Sequence, residues 1–146
     1  MKRSFSYPVG LTADPVEGGF VATFPDFPEV VTQGETEAEA LAQAIDALDE
    51  ALAGRIKRGE EIPCPSPPGA EHPLVSPSPI IAAKAALSVA LRESRLSRVA
   101  LAKRLGCDEK EVRRLLDPHH SSKLPRLAAA LSLLGKKLTV QLEDAR

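Results

Sequence analysis

Tryptophan is absent from this 146-residue chain, and one tyrosine and four phenylalanines bring its aromatic content to only 3%. Hydrophobic residues still make up 43%, so any core must be built mainly from Leu, Ala and Val. No apolar run approaches the roughly 20 residues of a membrane span, and the opening MKRSFSYPVG lacks a signal-peptide core. Both absences predict a cytoplasmic protein with no membrane partner. Cysteine is scarce too: Cys64 lies in a Pro-rich stretch and Cys107 in a predicted turn. Two such thiols in a reducing compartment predict no disulfide, and they are not at metal-ligand spacing. HExxH, nucleophile and Gly-rich phosphate-loop motifs are all missing. His119 and His120 adjoin Asp117 in a loop, which suits solvated residues or phosphate contacts better than a metal. His72 sits among prolines. Asp14, Asp26 and Glu29 are explained by turn and corner positions, so neither an enzyme nor a cofactor is expected.

Charge is present in both signs but segregated. The net charge is −1, yet residues 1–79 carry 5 basic and 13 acidic side chains, and residues 80–146 carry 14 basic and 7 acidic. That split predicts two modules with different partners. The basic half can neutralise phosphate, whereas the acidic half suits a basic protein.

The most informative stretch of the basic half is LSRVALAKRLGCDEKEVRRLL, Leu96 to Leu116. It predicts two short helices joined by a three-residue turn. The first runs from about Ser97 to Leu105, with Leu101, Ala102 and Leu105 on one face. Gly106 suits the left-handed turn residue. Asp108 is the expected N-cap of the second helix, with Glu111 completing a capping box. Val112, Leu115 and Leu116 return to the shared face, and small Ala102 permits a steep crossing. This is the pattern of a helix-turn-helix, whose second helix enters the major groove; a plain helical hairpin is the alternative. The expected DNA contacts are Ser97, Arg98, Glu109, Lys110, Arg113, Arg114 and Lys123.

In the acidic half, Phe5, Tyr7, Val9 and Leu11 alternate as a half-buried strand over Ser4 to Leu11. Phe20 to Phe24 and Val30 to Gln33 add two more, giving an antiparallel meander. Thr36 opens a helix with Glu39 at the capping-box position. Leu41, Ile45, Leu48, Leu52 and Ile56 form its apolar face, and Gly59 ends it. Ile62 to Pro79 holds more than half of the chain's 13 prolines and marks a linker, where Leu74 and Val75 are available as a fourth strand. Ser78 and Pro79 start another helix, with Ile80, Ala83, Leu87, Ala90 and Leu91 as its stripe. A last helix carries Leu127, Leu131 and Leu134. Leu138, Val140 and Leu142 then alternate as a terminal strand whose expected partner is the same strand of a second copy.

The stretch FPDFP, Phe24 to Pro28, brackets two aromatics with prolines. It predicts a corner that breaks the strand ladder, plugs the core with Phe24 and exposes Phe27 as an apolar anchor. Together YPVGL, GGFVATFPDFPEVVTQGETEAEAL and the following Ala-rich helix resemble the HicB-type antitoxin family, over about residues 5–62. The resemblance implies a truncated ribonuclease H-like domain that masks HicA, a small basic mRNA-cleaving ribonuclease toxin. It also implies a C-terminal DNA-binding domain that represses the protein's own operon. Toxin contacts are carried over only to Phe24, Pro25, Asp26, Phe27 and Pro28.

The expected architecture is thus α+β. A βββα(β) toxin-binding domain spans 1–62, a Pro-rich linker 63–79, and a helical DNA-binding and dimerisation domain 80–146. Residues 1 to about 79 are expected to suffice for neutralisation. The expected partners are a HicA-like toxin, operator double-stranded DNA and a second copy of the chain, as a dimer or tetramer. A stand-alone transcription regulator with a ligand-sensing or oligomerising N-terminal domain is the alternative. A nuclease is a weaker rival.

Overall fold

The computed structural model describes residues 2–69 and 72–145. The predicted first strand is divided at Val9 into β1 (Tyr7–Pro8) and β2 (Gly10–Ala13). Strands β2, β3 (Phe20–Phe24) and β4 (Phe27–Gly34) form an antiparallel meander in that spatial order. Segment β1 pairs instead with β5 (Leu74–Val75), Tyr7 opposite Val75. The Val9 amide extends this pairing by donating to the Pro73 carbonyl at 3.0 Å. The Pro-rich stretch therefore returns a fourth strand to the N-terminal half.

Helix α1 (Glu37–Arg58) starts where its chemistry predicts. Thr36 Oγ1 accepts from the Glu39 amide at 3.1 Å, and the Glu39 carboxylate accepts from the Glu35 amide at 3.3 Å. Gly59 closes the helix at φ 68°. The buried face differs in its first half from the one predicted: Ala40 and Ala44 are inside, while Ile45 is 42% exposed. Gly34 explains the shift. A Cβ there would lie 2.8 Å from the Glu39 carbonyl carbon and 2.9 Å from Ala40 Cα, so the helix start lies hard against β4, where only small residues fit. Farther along, Leu48, Leu52 and Ile56 enter the core with Tyr7, Val9, Ala22, Phe24, Phe27 and Val75.

Tyr7 is fully buried, and its hydroxyl donates to the Pro63 carbonyl at 2.7 Å. Burial pushes its phenol up to about 12. A pKa higher in the folded than in the unfolded chain contributes stability below pH 10, lost as pH rises from about 10 to 12. At 1.36 kcal/mol per pKa unit this amounts to about 3 kcal/mol. Tyr7→Phe is expected to flatten the alkaline limb of a stability-against-pH curve, measured by urea unfolding. An unchanged limb would contradict this reading of the burial.

Helix α2 (Pro79–Ser94) joins two cores. Ile81 and Ala85 pack into the sheet core, whereas Ala83, Leu87 and Ala90 belong to a second, all-helical core. Of the stripe predicted for α2, Ala83, Leu87, Ala90 and Leu91 serve the second core and Ile80 touches both, whereas Ile81 and Ala85 lay outside it. Helices α3 (Arg98–Leu105), α4 (Glu109–Leu116) and α5 (Leu124–Leu133) complete that core with Leu101, Ala102, Val112, Leu115, Leu127 and Leu131. The predicted terminal strand is not formed within the chain. Residues 136–145 have no regular structure, and Val140 and Leu142 are 84% and 97% exposed. An alternating pattern supplies strand propensity, but a ladder needs a partner edge, and none lies beside it among the described residues.

Candidate functional site

The α3–α4 hairpin is built by local capping. Ser97 Oγ accepts from the Ala100 amide at 3.0 Å, Gly106 turns the chain at φ 70°, and Asp108 Oδ1 accepts from the Glu111 amide at 3.0 Å. One expectation needs correction: the Glu111 carboxylate does not reach back to complete a capping box. It faces Arg114 at 3.5 Å and Arg126 of α5 at 3.8 Å instead. Glu109 likewise meets Arg113 one turn on, at 3.1 Å. Four of the charged side chains of α4 are thus arranged as two acid–arginine pairs, while Lys110 projects into solvent outside them. Exposed pairs at this helical spacing contribute only about 0.3–0.5 kcal/mol. Arg113 is therefore held only loosely by the Glu109 carboxylate.

The other predicted DNA contacts lie outside this pair network. Arg98 is the first residue of α3 and exposed; Lys123 is the N-cap of α5 and exposed, with no side-chain capping bond. His119 and His120 are exposed in the loop after α4, where the Asp117 carboxylate accepts from the His119 amide at 2.9 Å.

Sequence reasoning missed Lys84. Its side chain is fully buried, and its ammonium donates to the Arg114 carbonyl at 3.0 Å, the Asp117 carbonyl at 2.6 Å and Ser122 Oγ at 2.8 Å. All three donors are used, two of them on carbonyls at the C-terminal end of α4, where a positive charge also complements the helix dipole. Desolvation holds its pKa below the usual lysine value, with the Asp117 carboxylate opposing. The signal was present: Lys84 is the single charged residue between Ser78 and Leu91.

The FPDFP stretch is a tight turn with Phe24 opposite Phe27, and the ladder breaks beside it as expected: the pairing jumps from Phe24–Phe27 to Thr23–Val31 and skips Pro28 to Val30. The expected exposure of Phe27 is the part that needs correction. Both rings are inside, Phe24 at 2% and Phe27 at 0% exposure. Phe27 meets Tyr7 edge-on at 4.8 Å and carries the Arg55 guanidinium over its face at 4.9 Å. Arg55 in turn pairs with Glu29 at 2.8 Å, which helps hold the Glu29 carboxyl below its usual range against the opposing effect of desolvation. Asp26 accepts from the Ser66 amide at 3.0 Å and from its hydroxyl, pinning the Pro-rich segment across the hairpin. Of the five residues, only Pro25 and Pro28 are exposed. Pro28 is tolerated because it lies in the stretch that the ladder skips, between the Phe24–Phe27 and Thr23–Val31 pairs. Beyond it, the sheet face turned away from the core presents Thr23, Val31 and Gln33, with Val31 68% exposed.

No group of three or more His, Cys, Asp or Glu side chains among the described residues is placed to hold a metal ion. No helix among them is long and apolar enough to cross a membrane.

A profile described as the HicB-like antitoxin of a bacterial toxin–antitoxin system matches residues 6–86. That span includes the sheet, α1, the returning β5 and the start of α2. Antitoxin HicB 1 of Photorhabdus laumondii is 39% identical over 142 residues, 97% of this chain and 89% of the relative. Antitoxin HicB of Escherichia coli K12 is 39% identical over 134 residues, 92% and 96% of the two chains. Antitoxin HicB of Pseudomonas fluorescens is 33% identical over 146 residues, 99% and 100%. The similarity thus runs through both cores. An antitoxin acts by binding rather than catalysis, and the chain belongs to the HicB-like antitoxin family of bacterial toxin–antitoxin systems; it is not an enzyme.

Proposed function

We propose that the chain neutralises a small basic HicA-like ribonuclease through its N-terminal half and represses its own operon through its C-terminal half, acting in the cytoplasm. The observation that carries this reading is the joining, by α2, of an acidic sheet module to a basic module with a capped α3–α4 hairpin. In this reading the N-terminal βββα(β) arrangement is a truncated ribonuclease H-like fold, and α3–turn–α4 is a helix-turn-helix with α4 in the major groove.

Net acidity attracts a basic, RNA-binding protein at long range. An apolar contact must then supply affinity, and with Phe24 and Phe27 inside, that role falls to Pro25, Pro28 and Val31 on the outer surface of the sheet. Asp26 and the two rings shape this surface from beneath. A fragment ending near Pro79 would bare the surface that Ile81 and Ala85 cover, so neutralisation is best measured with the full chain.

On the DNA side, Lys110, Arg113 and Arg114 are the base-reading set, while Ser97, Arg98 and Lys123 contact phosphates; Glu109 accepts from cytosine when released by Arg113. Half-sites about 34 Å apart require a dimer. Leu138, Val140 and Leu142 are its contact, each strand supplying the edge the other lacks. Arg113→Ala with Arg114→Ala is expected to weaken operator binding about tenfold or more in a gel shift, with unchanged helix content. Wild-type affinity in the double variant would refute the assignment of α4.

A further inference from the structure

A shallow cleft of about 250 Å³ lies where the end of α1, the end of α2 and the start of α3 meet. Its lining includes the buried Ile56 and Leu116 and three exposed arginines, Arg92, Arg95 and Arg98, with no carboxylate among the lining residues. Arg92 is held from one side, donating to the Gly59 carbonyl at 2.9 Å. Arg92 also borders an adjoining cleft lined by Glu60, Glu61 and Glu93, of which Glu60 pairs with Arg58 at 2.6 Å and Glu93 with Lys136 at 3.1 Å. Arg95 is also the one described non-glycine residue at positive φ, 60°. A helix end ordinarily uses glycine there; this chain keeps an arginine and so keeps its charge at the cleft.

Three arginines lining one cleft favour an anion between them, and guanidinium forks match the oxygens of phosphate. The N-terminus of α3, opened by Ser97 at the same place, adds a positive dipole end. We propose that this cleft is a phosphate-binding site. A phosphate group seated in it bridges the end of α1 in the acidic module to the first turn of α3 in the basic one. The group comes either from a nucleic-acid backbone or from a free phosphorylated ligand. The first source rests on the operator-binding reading above; the second does not.

The test uses the full chain with two probes, inorganic pyrophosphate and operator duplex. Arg95→Asn removes charge at a position whose positive φ asparagine tolerates, and Arg98→Gln is a second, surface variant. Pyrophosphate is expected to raise the melting temperature above that in sodium chloride of equal ionic strength, and each variant to lose that rise while Arg113→Ala keeps it. This result assigns a free phosphate ligand. If only the duplex responds, each variant is expected to lower the salt slope of binding by about 1 without altering sequence preference, which assigns a backbone phosphate. A pyrophosphate response without duplex binding would leave the cleft standing and remove the operator reading. Wild-type behaviour of both variants toward both probes would overturn the cleft proposal, whatever Arg113 and Arg114 do.

Discussion

Phe27→Ala is expected to lower the unfolding free energy by about 3–5 kcal/mol, the usual cost of emptying a buried phenylalanine site. The ring is fully buried against Tyr7 and Phe24, and it is the surface on which Arg55 rests while holding Glu29. Removal therefore opens a cavity and also loosens the ion pair beside the hairpin. A whole domain commonly has only about 5–15 kcal/mol to lose, so the variant should unfold at a much lower urea concentration. Any failure to neutralise a toxin would follow from that loss rather than from a missing contact. A variant of wild-type stability that no longer binds a toxin would instead place Phe27 in an interface.

Lys84→Met is expected to cost about 3 kcal/mol, although the substitution keeps the length and shape of the side chain. The methionine removes the charged donor shared by the Arg114 and Asp117 carbonyls and Ser122 Oγ, leaving the carbonyls to the Asp117 and His120 amides, and each hydrogen bond to a charged group contributes about 1.5–3 kcal/mol. Relief from burying an ammonium offsets part of this, so the expected figure is well below the sum. The effect should be local as well as global. Amide exchange at the end of α4 and in residues 117–122 should accelerate more than exchange in the sheet. Uniform acceleration, or an unchanged urea midpoint, would contradict the role given to Lys84.

The legible parts of the fold were those set by neighbours in sequence. Thr36 with Glu39, Asp108, Gly59 and Gly106 fix helix ends through bonds and dihedrals spanning a few residues, and each acts where its residue type predicts. Leu74 and Val75 were recognisable as strand material, though Tyr7 as their partner depends on contacts across the fold. The failures were also long-range. Ala40 and Ala44 displaced Ile45 from the core because Gly34 lets α1 approach β4 closely, which helical periodicity cannot register. Phe27 was placed outside because flanking prolines suggested a broken ladder; the ladder does skip Pro28 to Val30, yet the turn folds Phe27 inward against Tyr7 and Phe24. Lys84 was missed because its partners, the end of α4 and Ser122, lie some 30 residues or more away along the chain. At the candidate site, the hairpin was legible, but its acid–arginine pairs depended on rotamers and on Arg126 arriving from α5.

The central claim, that the acidic sheet module is the part that captures a basic toxin, is tested most directly by co-expressing the full chain with the product of the adjacent open reading frame. The two are expected to co-purify and growth to be restored, and replacing exposed Val31 with Glu is expected to weaken both without lowering the melting temperature. A Val31→Glu protein that binds and protects as the wild type does, or a neighbouring basic protein that binds only the helical half, would contradict it.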